Sequence, residues 1–267
     1  AGELDKVCTK IVRIPHGKAT GLFGAATMPL LKGWPVQVGL YHSSRFCRCV
    51  REHLATGKYD LLHVQLSRLD PAVPMNPGIP VVMDMVDTLS LNMQRRADQD
   101  NFLRGLFFRF EAWRLRTLEK KIVQRYDGVV VVSDADAKAL GGGNNIHVVP
   151  NGVDATRFKF DPTGRKPESI VFSGNMSYFP NVDAAEWFAS KVLPKILEKR
   201  PNAEFVVAGA NPHPRLRRLA EANPSVILTG FVPRMEDTLS AMTVAVAPMR
   251  SGTGIQNKVI EAMASGL

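Results

Sequence analysis

The second half of the chain alternates short apolar runs with longer amphipathic stretches. Runs rich in β-branched residues predict strands, and apolar residues recurring every three or four positions predict helices. The predicted strands are 170–174, 204–209, 226–230 and 243–248. The predicted helices are 182–197, 214–222, 235–242 and a last one from about Gln256. Strands and helices that alternate in this way predict a parallel sheet with helices on both faces.

The first half shows the same alternation less regularly. Its predicted strands are 10–14, 36–40, 60–65, 79–84 and 127–133, and its predicted helices are 43–56 and about 93–125. The stretch 148–169 is rich in Gly, Pro and Asp, which is typical of a crossing between domains. We therefore expect an N-terminal Rossmann-like domain at 1–155 and a C-terminal one at 156–267.

The composition agrees with a soluble α/β protein. The 267 residues are 45% hydrophobic and 22% charged, and neither a membrane-spanning run nor an apolar signal segment is seen. The expected location is therefore the cytoplasm. The 34 basic and 25 acidic residues give a net charge of +9. This excess is spread over both halves, which argues against a nucleic-acid footprint and fits an anionic substrate or membrane surface.

The cysteines do not indicate a disulfide framework or a metal site. Cys47, Cys49 and His53 lie close together in sequence but lack a fourth ligand and suitable spacing. We expect small apolar thiols on a helix, and neither a metal nor another cofactor.

Both ends of the sequence look unfinished. A doubly wound domain usually opens on a strand and a glycine-rich turn, and a helix ending in ASGL should lead into another strand. We expect a fragment of a longer protein, inactive by itself.

The last residues, GTGIQNKVIEAMASGL, combine a glycine-rich turn, a lysine and a glutamate. Backbone N–H groups of such a turn bind anions, and Lys258 can add a charge to a phosphate. Glu261 lies on the same helix face and suits the hydroxyl pair of a ribose. The arrangement can therefore hold a nucleoside diphosphate, although a surface Lys–Glu pair on an ordinary amphipathic helix fits the spacing equally well.

Several motifs, in order, resemble those of family 4 glycosyltransferases, which have the GT-B architecture. They are VVVVSDADAKAL, HVVPNGVDATRF, VFSGNMSYFPNVDA, FVVAGANP, VILTGFVP and APMRSGTGIQNKVIEAMASGL. The wording GNMSYFPN and GIQNKVIEAMA further resembles a bacterial branch associated with exopolysaccharide assembly. The resemblance implies two Rossmann-like doubly wound domains, both incomplete here, and a nucleotide-sugar donor bound by the second domain.

The resemblance also assigns donor-site residues. It places Glu261 on the ribose hydroxyls and Lys258, helped by Arg250, on the diphosphate. The remaining donor-site positions are Ser251, Gly252, Thr253 and Gly254 in the phosphate turn, Gly174 and Asn175 after the first C-domain strand, and Gly209, Phe231 and Val232 near the base. Many members carry a glutamate where this chain has Thr253, and an arginine and a lysine in the loop where it has GNMSYFPN, so the donor sugar stays open.

On the acceptor side the resemblance is weaker. Members often have a His–Asp pair where this chain has Val86 and Asp87, so only Asp87 carries over. His63, taken as lying at a strand end, is a second candidate, although a structural role is the more common one for a lone histidine. An N-cap role is the alternative for Asp87.

The stretch 94–125 combines basic residues with aromatics at near-helical spacing. Such a helix can lie on an anionic membrane, where a lipid-linked acceptor would be found. We favour the alternative, a helix that packs on the sheet with its basic residues in water.

The predicted function is a retaining, hexosyl-type glycosyltransferase that moves a sugar from a nucleotide-sugar to a glycan or lipid-linked acceptor in polysaccharide biosynthesis. In that reaction Lys258 and the N–H turn stabilise the departing diphosphate, so no protein nucleophile is needed. A nucleotide-sugar epimerase and a non-catalytic GT-B-like nucleotide-binding module are the alternatives. A Rossmann dehydrogenase is disfavoured because no G-x-G-x-x-G turn follows a strand.

Overall fold

The computed structural model describes residues 4–98, 100–251 and 256–267. It divides into two compact units, the first ending at Val149 and the second beginning at Pro150. This division falls a few residues before the boundary placed at 155 from the sequence. Within the described residues, no helix combines the length and the apolar character that crossing a bilayer requires.

The first unit contains a four-stranded parallel sheet in the order β1-β2-β3-β4. Its strands are β1 (Leu62–Gln65), β2 (Val81–Val86), β3 (Gly128–Val131) and β4 (Ile146–Val148). Its helices are α1 (Leu4–Val7), α2 (Lys18–Lys32), α3 (Val36–Tyr41), α4 (Ser44–Leu54), α5 (Leu89–Ala97), α6 (Phe102–Arg125) and α7 (Asp134–Ala139), with a 3₁₀ segment at Ser67–Ala72. Alternate β2 residues, Val81, Met83 and Met85, are buried against Ile122 of α6 and form the core of this unit.

Two strand predictions in the first unit are wrong. Residues 10–14 adopt no regular structure, and residues 36–40 form helix α3. The segment VQVGL fits a helix because Val38 and Gly39 are buried on one side of it. A Cβ atom at Gly39 would lie 2.5 Å from the carbonyl oxygen of Gly24 in α2, so α2 and α3 can approach this closely only through glycine.

The single helix predicted from about 93 to 125 is two helices, α5 and α6. The break comes before Asn101, whose side chain accepts a 3.1 Å hydrogen bond from Arg104 N and caps α6. The favoured prediction that this aromatic helix packs on the sheet holds only for its second half. Leu115 and Ile122 are fully buried, but Phe102 and Trp113 are 83% and 62% exposed.

Buried carboxylates from other helices bind the start of α5. Ser90 N donates a 2.9 Å hydrogen bond to Glu119 of α6, and Thr88 N donates one of 2.9 Å to Asp136 of α7. The Ser90 and Thr88 hydroxyls donate to the same two carboxylates. Burial raises the pKa of Glu119, and the hydrogen bonds from Ser90 oppose that rise. The N–H groups at the start of α5 are thus paired with carboxylates of residues that are distant in sequence.

The second unit contains a four-stranded parallel sheet in the order β7-β6-β5-β8. Its strands are β5 (Ser169–Ser173), β6 (Glu204–Ala208), β7 (Val226–Gly230) and β8 (Val244–Ala245). Its helices are α8 (Phe179–Trp187), α9 (Leu193–Leu197), α10 (Pro214–Ala222), α11 (Met235–Ser240) and α12 (Asn257–Ala264), with a π-helical segment at Phe188–Val192. The elements predicted for this half are confirmed, although β8 is much shorter than predicted.

The sheet of the second unit has an apolar core on each face. Phe172 and Phe205 belong to one core, where the Phe205 ring lies 4.5 Å from that of Phe188. Val171 and Val206 belong to the other core. Neighbouring residues of each strand thus face opposite ways, as they do in a sheet covered on both sides.

Candidate functional site in the second unit

The carboxyl ends of β5 and β6 are occupied by glycine. Gly174 follows β5 and Gly209 follows β6, with φ angles of 152° and 150°. Gly174 N donates a 2.9 Å hydrogen bond to the carbonyl oxygen of Ala208. A Cβ atom on Gly209 would overlap the carbonyl oxygen of Gly174. The two loops therefore touch through bare backbone, at the edge of the sheet where α/β domains bind ligands.

The loop after β5 is fixed by two asparagines. The Asn175 side chain accepts hydrogen bonds from the backbone N and hydroxyl of Ser177, at 3.0 and 2.8 Å. Asn181 in α8 donates from Nδ2 to the carbonyl oxygen of Asn175 at 3.0 Å. A Cβ atom on Gly174 would lie 2.7 Å from this Nδ2, so the glycine makes room for the Asn181 side chain.

Lys258 of α12 lies against this loop. Its Nζ donates a 2.7 Å hydrogen bond to Asn181 Oδ1, lies 3.6 Å from Met249 Sδ and lies 4.6 Å from the centroid of the Phe172 ring. Burial lowers the pKa of Lys258 to about 8, against a smaller opposing effect of Glu261. The ammonium group is thus partly desolvated, and a neutral amide oxygen accepts its hydrogen bond.

Glu261 follows one helical turn after Lys258 and has both positively and negatively charged neighbours. Burial raises the pKa of its carboxyl group, the charges of Arg157 and Lys258 lower it, and the charge of Glu236 raises it. Arg157 donates from Nη2 to both oxygens of Glu236, at 3.3 and 3.1 Å. Arg157 therefore acts on two carboxylates, and its charge favours the ionised form of Glu261 against the larger effect of burial.

The other predicted donor-site residues have varied surroundings. Arg250 forms a 3.5 Å ion pair with Asp183. Ser251 Oγ is buried and has no hydrogen-bond partner within the described residues. Phe231 is 75% exposed after β7, and Val232 packs against the core on that side of the sheet. Gly252, Thr253 and Gly254 lie outside the described residues.

The acceptor-side prediction concerns the first unit. Asp87 directly follows β2, and its carboxylate accepts a 3.1 Å hydrogen bond from Asn92 Nδ2. Thr88, not Asp87, is the N-cap of α5, so the N-cap interpretation of Asp87 is wrong. Asp87 comes after Val86, which has a φ of 64°, an unusual angle for a β-branched residue.

His63 is placed differently from the prediction. It is the second residue of β1 and is exposed, so Val64 and Gln65 separate it from the carboxyl end of the strand. The expectation that it lies at a strand end is wrong.

The sequence interpretation missed Asn181 and Arg157. Both lie in family-like motifs of the sequence, in FPNVDA and NGVDATRF, but neither motif by itself indicates which of its polar residues contacts the site. A signal for Asn181 was present, because the segment GNMSYFPN, which ends on this residue, lacks the family's usual basic residues.

A glycine-lined sheet edge, a half-buried lysine and a nearby carboxylate come together at one end of this α/β unit. Comparison with known proteins makes this more specific. The sequence profile described as Glycosyltransferase Family 4 matches residues 23–157, and the one described as Glycosyl transferases group 1 matches residues 167–267. The chain belongs to glycosyltransferase family 4.

The chain is also similar to individual proteins of known sequence or structure. An uncharacterized 44.6 kDa protein in the cps region of Klebsiella pneumoniae is 19% identical over 274 residues, which cover 97% of this chain and 67% of that protein. Among solved structures, Anabaena HepE in complex with UDP has a TM-score of 0.58 at 15% identity and 82% coverage of this chain. The pneumococcal O-GlcNAc transferase GtfA, in complex with UDP and GlcNAc, has a TM-score of 0.58 at 14% identity and 82% coverage.

The structural likeness confirms the predicted GT-B class, built from Rossmann-like α/β units. The chain spans 61% of the length of HepE and 43% of the length of GtfA.

Proposed function

We propose that this protein is a retaining glycosyltransferase that transfers a hexosyl group from a nucleotide-sugar to a glycan or a lipid-linked acceptor. The observation that carries the proposal is the partly desolvated ammonium group of Lys258. It donates a hydrogen bond to Asn181, and Lys258 itself lies one helical turn before Glu261 in α12. Family membership supports the reaction type. Relatives crystallised with UDP and with UDP-glucose support the class of donor.

The proposed reaction divides the work among these groups. Lys258 and the buried hydroxyl of Ser251 bind the diphosphate, and Glu261 binds the ribose. Negative charge grows on the diphosphate as the sugar leaves, and the fixed ammonium stabilises it most at that stage. Asp87 is the proposed acceptor-side group, because it follows a strand of the first unit at the edge where ligands of α/β folds bind.

We place the reaction in the biosynthesis of exopolysaccharide or another cell-surface polysaccharide. Two observations support this. A similar protein is encoded in the cps region of Klebsiella pneumoniae, and the segment GNMSYFPN resembles the bacterial branch of the family that is associated with exopolysaccharide assembly.

Nucleotide binding tests the proposal. UDP should bind the full-length protein in isothermal titration calorimetry, and Glu261→Gln should weaken it about tenfold or more, because a charged hydrogen bond to the ribose is lost. Glu221→Gln, on the exposed side of α10, is the matched control and should bind UDP normally. Undiminished UDP affinity in Glu261→Gln would contradict the assignment. A protein that binds UDP, but releases no UDP from UDP-sugars when acceptor extracts are present, would favour the non-catalytic module. Formation of an epimer of the donor sugar would favour an epimerase.

We also propose that the first unit touches an anionic membrane. A surface that we call the apolar–basic surface combines exposed residues of two helices. They are Leu22, Phe23, Leu30 and Leu31 of α2 and Phe102, Leu103, Leu106, Phe107, Phe110 and Trp113 of α6. Arg114 of α6 donates a 2.9 Å hydrogen bond to the carbonyl oxygen of Pro29 in α2, so the two helices meet. Exposed Lys18, Lys32 and Arg104 complement anionic headgroups.

Vesicle binding tests this contact. The Phe107→Ser, Phe110→Ser double variant should lose cosedimentation with phosphatidylglycerol-containing vesicles while keeping its melting temperature, because both rings are half exposed. Met75→Ser, which removes an exposed apolar side chain elsewhere in the unit, is the control. Unchanged vesicle binding by the double variant would refute the proposal.

A further inference from the structure

Four buried side-chain atoms have no hydrogen-bond partner within the described residues. They are Ser67 Oγ, Arg68 Nε, Glu111 Oε2 and Ser251 Oγ. Buried polar groups are nearly always paired, so each such atom needs an explanation. Ser251 belongs to the predicted phosphate turn of the second unit. Ser67 and Arg68 are adjacent in sequence, and both atoms are donors.

Ser67 and Arg68 follow the carboxyl end of β1, and both unpaired atoms are buried there. Leu66, with a φ of 75°, turns the chain out of the strand, and its N–H donates a 2.7 Å hydrogen bond to the carbonyl oxygen of Asp84 in β2. Ser67 is 1% exposed. Asp87 leaves β2 at the same edge of this parallel sheet. The unpaired donors therefore share a sheet edge with the proposed acceptor-side carboxylate.

Arg68 is held in place without the use of its Nε–H. Its Cζ lies 4.7 Å from the centroid of the Tyr41 ring, which is a cation–π contact. No Asp or Glu of the described residues forms an ion pair with Arg68. A guanidinium group has donors only, and a serine hydroxyl can donate as well. A partner with acceptor oxygens would satisfy both donors, and the guanidinium charge favours a partner that is negatively charged.

We infer that Ser67 and Arg68 form an anion-binding subsite of the first unit, which takes a phosphate or carboxylate group of the acceptor. The assignment to the acceptor rests on the proposed function, whereas anion binding itself does not. Arginine and a neighbouring hydroxyl are a common pair for such groups, because their hydrogen bonds to an oxyanion are charge-assisted.

The test is a titration of the full-length protein with inorganic phosphate in the presence of saturating UDP, which fills the donor site, with thermal unfolding as the readout. Phosphate should raise the melting temperature of the unmodified protein. Arg68→Gln should raise the apparent Kd for phosphate about tenfold or more, and Ser67→Ala several-fold. Arg48→Gln, which removes an exposed charge from α4, is the control and should behave like the unmodified protein.

The outcomes separate this inference from the proposed function. Equal phosphate responses in Arg68→Gln and the unmodified protein, or no response in either, would overturn the subsite. A protein that fails to bind UDP but still responds to phosphate through Arg68 would overturn the proposed donor site and keep the subsite. Farnesyl phosphate and glucuronate, titrated in the same way, distinguish a lipid-linked phosphate from a sugar acid, and competition by either against phosphate supports the subsite.

Discussion

Donor binding should weaken on the alkaline side of neutrality because of Lys258. Burial lowers its pKa from 10.5 to about 8, a difference of at most roughly 3 kcal/mol before screening by the solvent that still reaches the side chain. With this pKa the side chain is about nine-tenths protonated at pH 7 and about one-tenth at pH 9. If only the ammonium form holds the diphosphate, the apparent affinity for UDP falls about tenfold over this interval.

Two substitutions should change how UDP affinity depends on the protonation of residue 258. Lys258→Arg keeps a charge at all these pH values, so its UDP affinity should be flat from pH 7 to 9. Asn181→Asp places a carboxylate where Asn181 Oδ1 lies 2.7 Å from Lys258 Nζ, so it should raise the lysine pKa and move the loss of affinity above pH 9. Isothermal titration calorimetry with UDP at several pH values, in buffers with different ionisation enthalpies, measures both the affinity and the protons taken up.

The sign of the stability effect is opposite to that of binding. The unfolded chain holds a proton on this lysine up to pH 10.5, and the folded one only up to about 8. The unfolded state therefore binds more protons between these values, and the ligand-free protein should gain stability as the pH rises through them. A UDP affinity that does not change from pH 7 to 9 in the unmodified protein, without proton uptake, would refute the reasoning about Lys258.

Three further predictions concern other parts of the fold. Gly209→Ala should lower the free energy of unfolding in urea by about 3 kcal/mol or more, because its Cβ atom would overlap the Gly174 carbonyl oxygen. The control is Gly152→Ala, which should be nearly neutral because a Cβ atom there meets nothing within 4 Å. Equal effects of the two substitutions would contradict the close loop contact. Glu119→Leu should lower the free energy of unfolding by about 3 kcal/mol or more, because it leaves the Ser90 donors unpaired. Glu119→Gln should lower it clearly less. An unchanged free energy of unfolding in Glu119→Leu would show that the capping is dispensable. Asp87→Asn should lower kcat for transfer without changing the UDP Kd, and a changed Kd alone would remove Asp87 from the acceptor side.

The sequence predicted β5, β6 and β7 well because each is a short apolar run closed by a turn signal, whereas β8 covers only two residues of the strand predicted at 243–248. It failed at 36–40, where two valines and a leucine suggest a strand. The deciding contact there is Gly39 against Gly24, which belongs to a different helix and leaves no pattern in the segment itself. The exposed aromatics of α6 were misjudged for a similar reason, since a period of 3.6 shows that residues share a face but not what that face meets.

The same limit applies to the site. Lys258 and Glu261 could be proposed because they lie in one helix beside a glycine-rich turn. The role of Asn181 depends on a contact between residues 77 positions apart, and that of Arg157 on its ion pair with Glu236, 79 positions away. Sequence spacing carries no information on such contacts, whereas burial and hydrogen-bond geometry show them directly.

The carboxylates that bind the start of α5 have a consequence for how the first unit opens. Glu119 and Asp136 belong to helices that follow α5 in the chain, so α5 cannot keep its first hydrogen bonds once those helices leave the sheet. Amide hydrogen exchange of α5, α6 and α7 should then occur in one concerted opening. Asp87 would lose its position in the same event, so the acceptor side would keep its geometry only as long as α5, α6 and α7 all stay in place.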